Sequence, residues 1–86
     1  MIEKTVTVTN KAGLHARTAA LLVARAGDFA CDIRIAKDGR EANARSIMGI
    51  MSLGITQGAE IIIKAEGEDA PEAVAALAAM VQTFGD

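Results

Sequence analysis

Tryptophan and tyrosine are absent from this chain of 86 residues, phenylalanine occurs twice (Phe29, Phe84), and cysteine, histidine and proline occur once each (Cys31, His15, Pro71). A lone cysteine excludes an internal disulfide, a cysteine-rich zinc site and a thiolate pair for a soft metal, and a lone histidine excludes a polyhistidine centre. No metal or other cofactor is expected. RNA-binding sheets stack bases on exposed aromatic rings, so without Tyr or Trp nucleic acid is not an expected partner. No apolar run approaches the roughly 18 to 20 residues that a bilayer-spanning helix needs. Met1 leads directly into an alternating segment rather than a basic stretch, an apolar core and a small-residue cleavage site, so no signal peptide is visible. The expectation is a cytoplasmic protein with no membrane partner.

What is present is apolar and small. Apolar residues make up 51% of the chain, too many for disorder, and a single folded domain over residues 1–86 is expected. Alanine supplies 18 positions, so the core must be a thin double layer of many small contacts, with no room for a deep cleft. Charge is uneven: residues 1–45 carry eight basic and five acidic side chains, whereas residues 46–86 carry only Lys64 against six acids. Between these halves, residues 46–59 (SIMGIMSLGITQGA) hold no charge at all.

Periodicity divides the chain into seven short elements. Residues 2–8 alternate, with Ile2, Val6 and Val8 opposite Glu3, Thr5 and Thr7, as in a half-buried strand. Residues 9–15 (TNKAGLH) read as a loop, and residues 16–26 (ARTAALLVARA) as a helix stopped by Gly27 in the left-handed conformation. Cys31, Ile33 and Ile35 alternate with Asp32 and Arg34; Asp38-Gly39 then supplies a tight hairpin turn, and residues 41–44 return as a strand. Ser46 caps a brief helix over residues 47–53 that ends at Gly54. Residues 59–66 form a fourth alternating strand. Asp69-Ala70-Pro71-Glu72 reads as a capping box for a last helix, whose stripe is Val74, Leu77, Ala78, Val81 and Phe84. Parallel strands are buried on both faces, but these four each show one polar face, so the sheet is antiparallel. The predicted architecture is α+β: an open-faced two-layer sandwich of order βαββαβα, with a four-stranded antiparallel sheet and all three helices on its one apolar face. Glu3, Thr5, Asp32, Arg34, Glu60, Lys64 and Glu66 are left in water.

Among side chains that could carry chemistry, His15 is the one nucleophile suited to neutral pH. It sits where a Gly13-containing loop enters the first helix, whose N-terminus offers unpaired N–H groups and partial positive charge, and Arg17 adds a planar cation able to bind phosphate oxygens in pairs. The residues alone leave two readings open: a phosphoryl group held on imidazole, or an ordinary helix start with a solvated arginine. Ser46 is likewise either a simple cap, the stronger reading from residues alone, or a phosphorylation site favoured by its helix dipole and by Arg45. Ile47, Met48, Ile50 and Met51 cannot all face inward, so an exposed Met48/Met51 docking patch competes with plain core filling.

Gly13-Leu14-His15-Ala16-Arg17 followed by Ala19-Ala20, then residues 46–54 (SIMGIMSLG) and Gly58-Ala59-Glu60, resemble the HPr phosphocarrier family of the bacterial sugar phosphotransferase system. The resemblance covers essentially the whole chain and implies the same open-faced fold. It implies that His15 accepts a phosphoryl group on its delta nitrogen from phosphorylated enzyme I and passes it to enzyme IIA domains, with Arg17 and the helix amides stabilising it. It further implies that Ser46 is a regulatory site for an ATP-dependent HPr kinase/phosphorylase, and that Ala16, Ala20, Ile47, Met48 and Met51 belong to the partner-binding patch. Phosphate at Ser46 would add charge beside that patch and weaken docking to an acidic partner. The family usually carries Pro after the Arg of its GLHARP motif, where this chain has Thr18; the expectation is one restored N–H donor and a slightly looser first turn.

The leading reading is a monomeric phosphoryl carrier that is not itself an enzyme. The alternative is a mainly regulatory relative, acting in nitrogen control or through Ser46 on a transcriptional regulator. A third, a small-ligand regulatory module, would bind metabolites independently of His15.

Overall fold

The computed structural model describes residues 1–85. The seven elements occur in the predicted order: β1 (Ile2–Thr7), α1 (Ala16–Ala26), β2 (Asp32–Lys37), β3 (Arg40–Asn43), α2 (Ile47–Met51), β4 (Glu60–Glu66) and α3 (Ala70–Thr83). The strands form one sheet of order β1-β4-β2-β3 in which every neighbouring pair is antiparallel. Alternation decides which face is covered. Val6, Ile33, Ile35, Ile61, Ile63 and Ala65 point to the helices and are buried, and Leu22 of α1, Ile50 of α2 and Leu77 and Val81 of α3 close over them. Ile2, on the same side at the sheet edge, stays 41% exposed. None of the described helices is long and apolar enough to cross a membrane.

The β2–β3 turn follows the sequence reading, with Asp38 at φ +53 and Gly39 at φ +80. On the outer face Lys64 of β4, level with Arg34, reaches diagonally across β2 to Glu41 of β3, level with Ala36, at 2.6 Å.

Three local expectations are corrected. Gly27 is right-handed (φ −65), because the chain leaves α1 through successive turn bonds, Asp28 N–H to Arg25 O and Phe29 N–H to Ala26 O, that need no positive φ. The second helix is shorter than predicted, ending at Met51, and the chain turns at Gly54 with φ +64. Asp69 makes no side-chain cap on α3. Its carboxylate instead accepts the backbone N–H groups of Ala30 at 2.9 Å and Cys31 at 3.0 Å, tying the start of α3 to the segment entering β2. The Ala30 amide, followed by the Cys31 thiol and amide, holds this carboxyl below the ordinary carboxylate range. Burial, and then the Asp69 carboxylate, push the Cys31 thiol up, so that it stays protonated as a core side chain.

Candidate functional site

The loop ahead of α1 is fixed before the chain reaches His15. Asn10, itself buried, donates from Nδ2 to Gly13 O at 2.8 Å, and Gly13 N–H returns to Asn10 O at 3.1 Å. Leu14 is buried and its N–H bonds to Ile55 O at 3.1 Å. Gly13 has φ +67, and a Cβ there would stand 2.4 Å from Ile55 O and 2.8 Å from Thr56 Cα, so only glycine permits this approach.

His15 is the N-cap residue of α1. Its backbone is extended, and its Nδ1 accepts the N–H of Arg17 at 3.2 Å. The side chain also accepts the Thr18 N–H, and the Thr18 hydroxyl accepts the His15 N–H at 3.0 Å, which completes a reciprocal capping box built from His and Thr rather than the usual Ser/Thr and Glu/Gln. A nitrogen that accepts hydrogen bonds carries no proton, so the neutral ring holds its proton on Nε2 and presents the Nδ1 lone pair to the helix amides. The first turn contains no acidic residue, so the positive end of α1 is not neutralised from within the helix.

Thr18 corrects the expectation of a looser turn. Its side chain is fully buried, and its hydroxyl lies 3.3 Å from both Gly13 O and His15 O while accepting from His15 N–H. Where proline would restrict the first turn through its ring, this threonine restricts it through hydrogen bonds. Arg17 meets His15 through its backbone N–H, and its side chain stands on the exposed face of α1 with those of Ala16, Ala20 and Leu21.

Ser46 caps α2, its half-buried Oγ accepting the Gly49 N–H at 2.9 Å. The idea that Arg45 favours a phosphate there is corrected. Its guanidinium donates to Ala26 O at 3.0 Å and to Phe29 O, so it is committed to the carbonyl end of α1, where a cation complements the helix dipole. The short α2 sends one apolar side chain inward and three outward: Ile50 is fully buried, while Ile47, Met48 and Met51 are 38%, 79% and 41% exposed. Leu21 joins this exposed apolar set from α1, against which α2 packs. Sequence reasoning missed Leu21 because periodicity cannot say which residue of the Leu21-Leu22 pair faces the core.

A recess of about 370 Å³ lies on the opposite, outer face of the sheet, lined by Thr5, Lys37, Glu41, Glu60, Ile62 and Lys64 among others. It contains no residue of α1 or of the His15 loop. Among the described residues, no three His, Cys, Asp or Glu side chains converge as metal ligands. The helix side therefore offers a half-buried imidazole whose Nδ1 faces the first amides of α1, with adaptable apolar side chains on the neighbouring helix.

A family model described as "PTS HPr component phosphorylation site" matches residues 2–83. The chain is 49% identical over 82 residues to the HPr-like protein Crh of Bacillus subtilis, covering 95% of this chain and 96% of that one. Among solved structures, a phosphocarrier protein HPr from Bacillus anthracis superposes with a TM-score of 0.90 at 57% identity, covering 94% of this chain and 96% of that one. An HPr dimer from Thermoanaerobacter tengcongensis gives 0.78 at 48% identity over the whole of both chains. With a family model spanning almost its full length and relatives at about half identity, this chain belongs to the HPr family, the phosphocarrier proteins of the phosphotransferase system, which carry phosphohistidine and are not themselves enzymes.

Proposed function

We propose that this chain works as a single-domain phosphoryl carrier, taking a phosphoryl group on His15 Nδ1 from phosphorylated enzyme I and delivering it to enzyme IIA domains. The observation that carries the reading is the direction of the Nδ1 lone pair. It already accepts from the Arg17 amide at the positive end of α1, where the His15 side chain also accepts from the Thr18 amide. A phosphoryl group bonded to that nitrogen would place its oxygens where those donors and the dipole stabilise negative charge. Arg17 is suited by chemistry to pair with the same oxygens. Enzyme I and the IIA domains would dock on the apolar surface of Ile47, Met48 and Met51 beside Ala16 and Ala20. The shallow setting of His15 fits a group that must enter and leave between two partners. The carrier acts in the cytoplasm as a monomer, the state that leaves this face open to each partner in turn, in contrast to the dimer named for the Thermoanaerobacter relative.

The experiment is incubation with phosphoenolpyruvate and active enzyme I. An acid-labile label is expected on the protein and is expected to vanish in His15→Ala; an unlabelled wild-type protein would refute the carrier reading. A second reading, a mainly regulatory protein acting through Ser46 and a transcriptional regulator, is favoured by the 49% identity to the HPr-like protein Crh. It requires ATP-dependent labelling by an HPr kinase/phosphorylase that Ser46→Ala removes, with transfer to IIA domains slow or absent.

A further inference from the structure

We propose that Thr18 is a positioning residue for phosphoryl transfer, an inference that rests on the carrier reading of His15. The residue stands at the third position of α1, fully buried, and engages His15 twice. Its hydroxyl accepts the His15 N–H at 3.0 Å and lies 3.3 Å from Gly13 O and His15 O. Its own amide points, with that of Arg17, at the His15 side chain. A proline at this position could supply neither contact.

The two engagements have different fates during transfer. As His15 Nδ1 gives its lone pair to phosphorus, the bond from phosphorus to the donor breaks and its electron pair stays with the donor. The Nε2 proton remains on the ring at that moment. Nδ1 can then no longer accept hydrogen bonds, so the Arg17 and Thr18 amides must find new acceptors, and the phosphoryl oxygens arrive beside them. The hydroxyl half of the capping box involves only the His15 backbone N–H and is untouched by the reaction. It holds His15 and the helix start in place while the amide half changes partner. Thr18 thus keeps the ring aimed at the amides before transfer and contributes one more donor to the phosphoryl group after it.

The test compares wild type with Thr18→Val, which removes the hydroxyl at nearly constant shape, Thr18→Ser, which retains it, and Thr18→Pro, which removes the amide and hydroxyl together. Imidazole ¹⁵N spectra of the unphosphorylated proteins should show the Nε2–H tautomer in wild type and Thr18→Ser. They should show a displaced Nδ1 resonance in Thr18→Val and Thr18→Pro. The phosphohistidine lifetime at neutral pH should fall about two- to tenfold in those two variants, the equivalent of one lost hydrogen bond, with Thr18→Ser close to wild type. Should Thr18→Val not fold, Thr18→Pro, which carries the residue usual in the family, decides alone. Unchanged ¹⁵N resonances in the folded variants, or equal lifetimes, overturn the proposal. If wild type takes no label, the carrier reading fails, and Thr18's hold on the His15 ring is then judged by the ¹⁵N spectra alone.

Discussion

At Gly13 the chain passes so close to the segment before β4 that an added methyl group would meet the Ile55 carbonyl oxygen at 2.4 Å and the Thr56 Cα at 2.8 Å. Both are backbone atoms and cannot rotate away, and the φ of +67 is itself unfavourable for any residue with a Cβ. Gly39 is a useful control, since it has φ +80 but nothing within 4 Å of an added Cβ. Gly13→Ala is expected to lower stability by about 2–4 kcal/mol, the sum of overpacking and left-handed strain, against about 1 kcal/mol for Gly39→Ala, where only the strain applies. Urea midpoints measure both. Because Leu14 N–H bonds to the same Ile55 carbonyl, the Gly13 variant should also displace the His15 loop and slow phosphoryl labelling, which the Gly39 variant should not.

The elements themselves were legible because three strands alternate, Asp38-Gly39 marks the turn into β3, α1 is rich in alanine and leucine, Ser46 caps α2 and α3 shows a stripe; the antiparallel pairing and the single covered face follow from the polar side of the strands. The position of His15 at a helix mouth was legible for a similar reason, the Gly13 loop running into an alanine-rich helix. What sequence reasoning misplaced are polar side chains that serve distant backbone. Arg45 turns to carbonyls 16 and 19 residues away, and Asp69 to amides 38 and 39 residues away, where local motifs offered Ser46 and the α3 cap as nearer partners. The bond from His15 N–H to the Thr18 hydroxyl escaped because it belongs to a capping box with a histidine as N-cap, a pairing outside the usual box. The Asp69 tie has a pH signature. Its carboxyl is held below the ordinary range in the folded state, so its contribution is fully present above the unfolded pKa of about 4 and is lost as pH falls through the folded value. Glu41, held low by Lys64, works in the same direction. Asp69→Asn should therefore be less stable than wild type at pH 7, and the gap in melting temperature should narrow as the pH is taken below about 4.

As a whole the molecule has two unlike sides. The outer sheet face is polar and crossed by the Lys64–Glu41 ion pair, while the helix side carries His15 at the mouth of α1 and the exposed Leu21, Ile47, Met48 and Met51 on two packed helices. Apolar side chains left in water in one region contribute little to folding, whereas a partner that covers them gains their full burial. Met48, 79% exposed, separates the two effects most cleanly. Met48→Asp should change unfolding stability by no more than about 0.5 kcal/mol, as surface substitutions do. In phosphoryl transfer from enzyme I it should raise KM about tenfold, the loss of one anchoring contact, with kcat nearly unchanged because His15 and its amide donors are untouched. A matching loss of kcat would place Met48 in the transfer step itself. An unchanged KM would show that enzyme I approaches His15 without touching α2, and would leave Leu21, Ala16 and Ala20 on α1 as its footing.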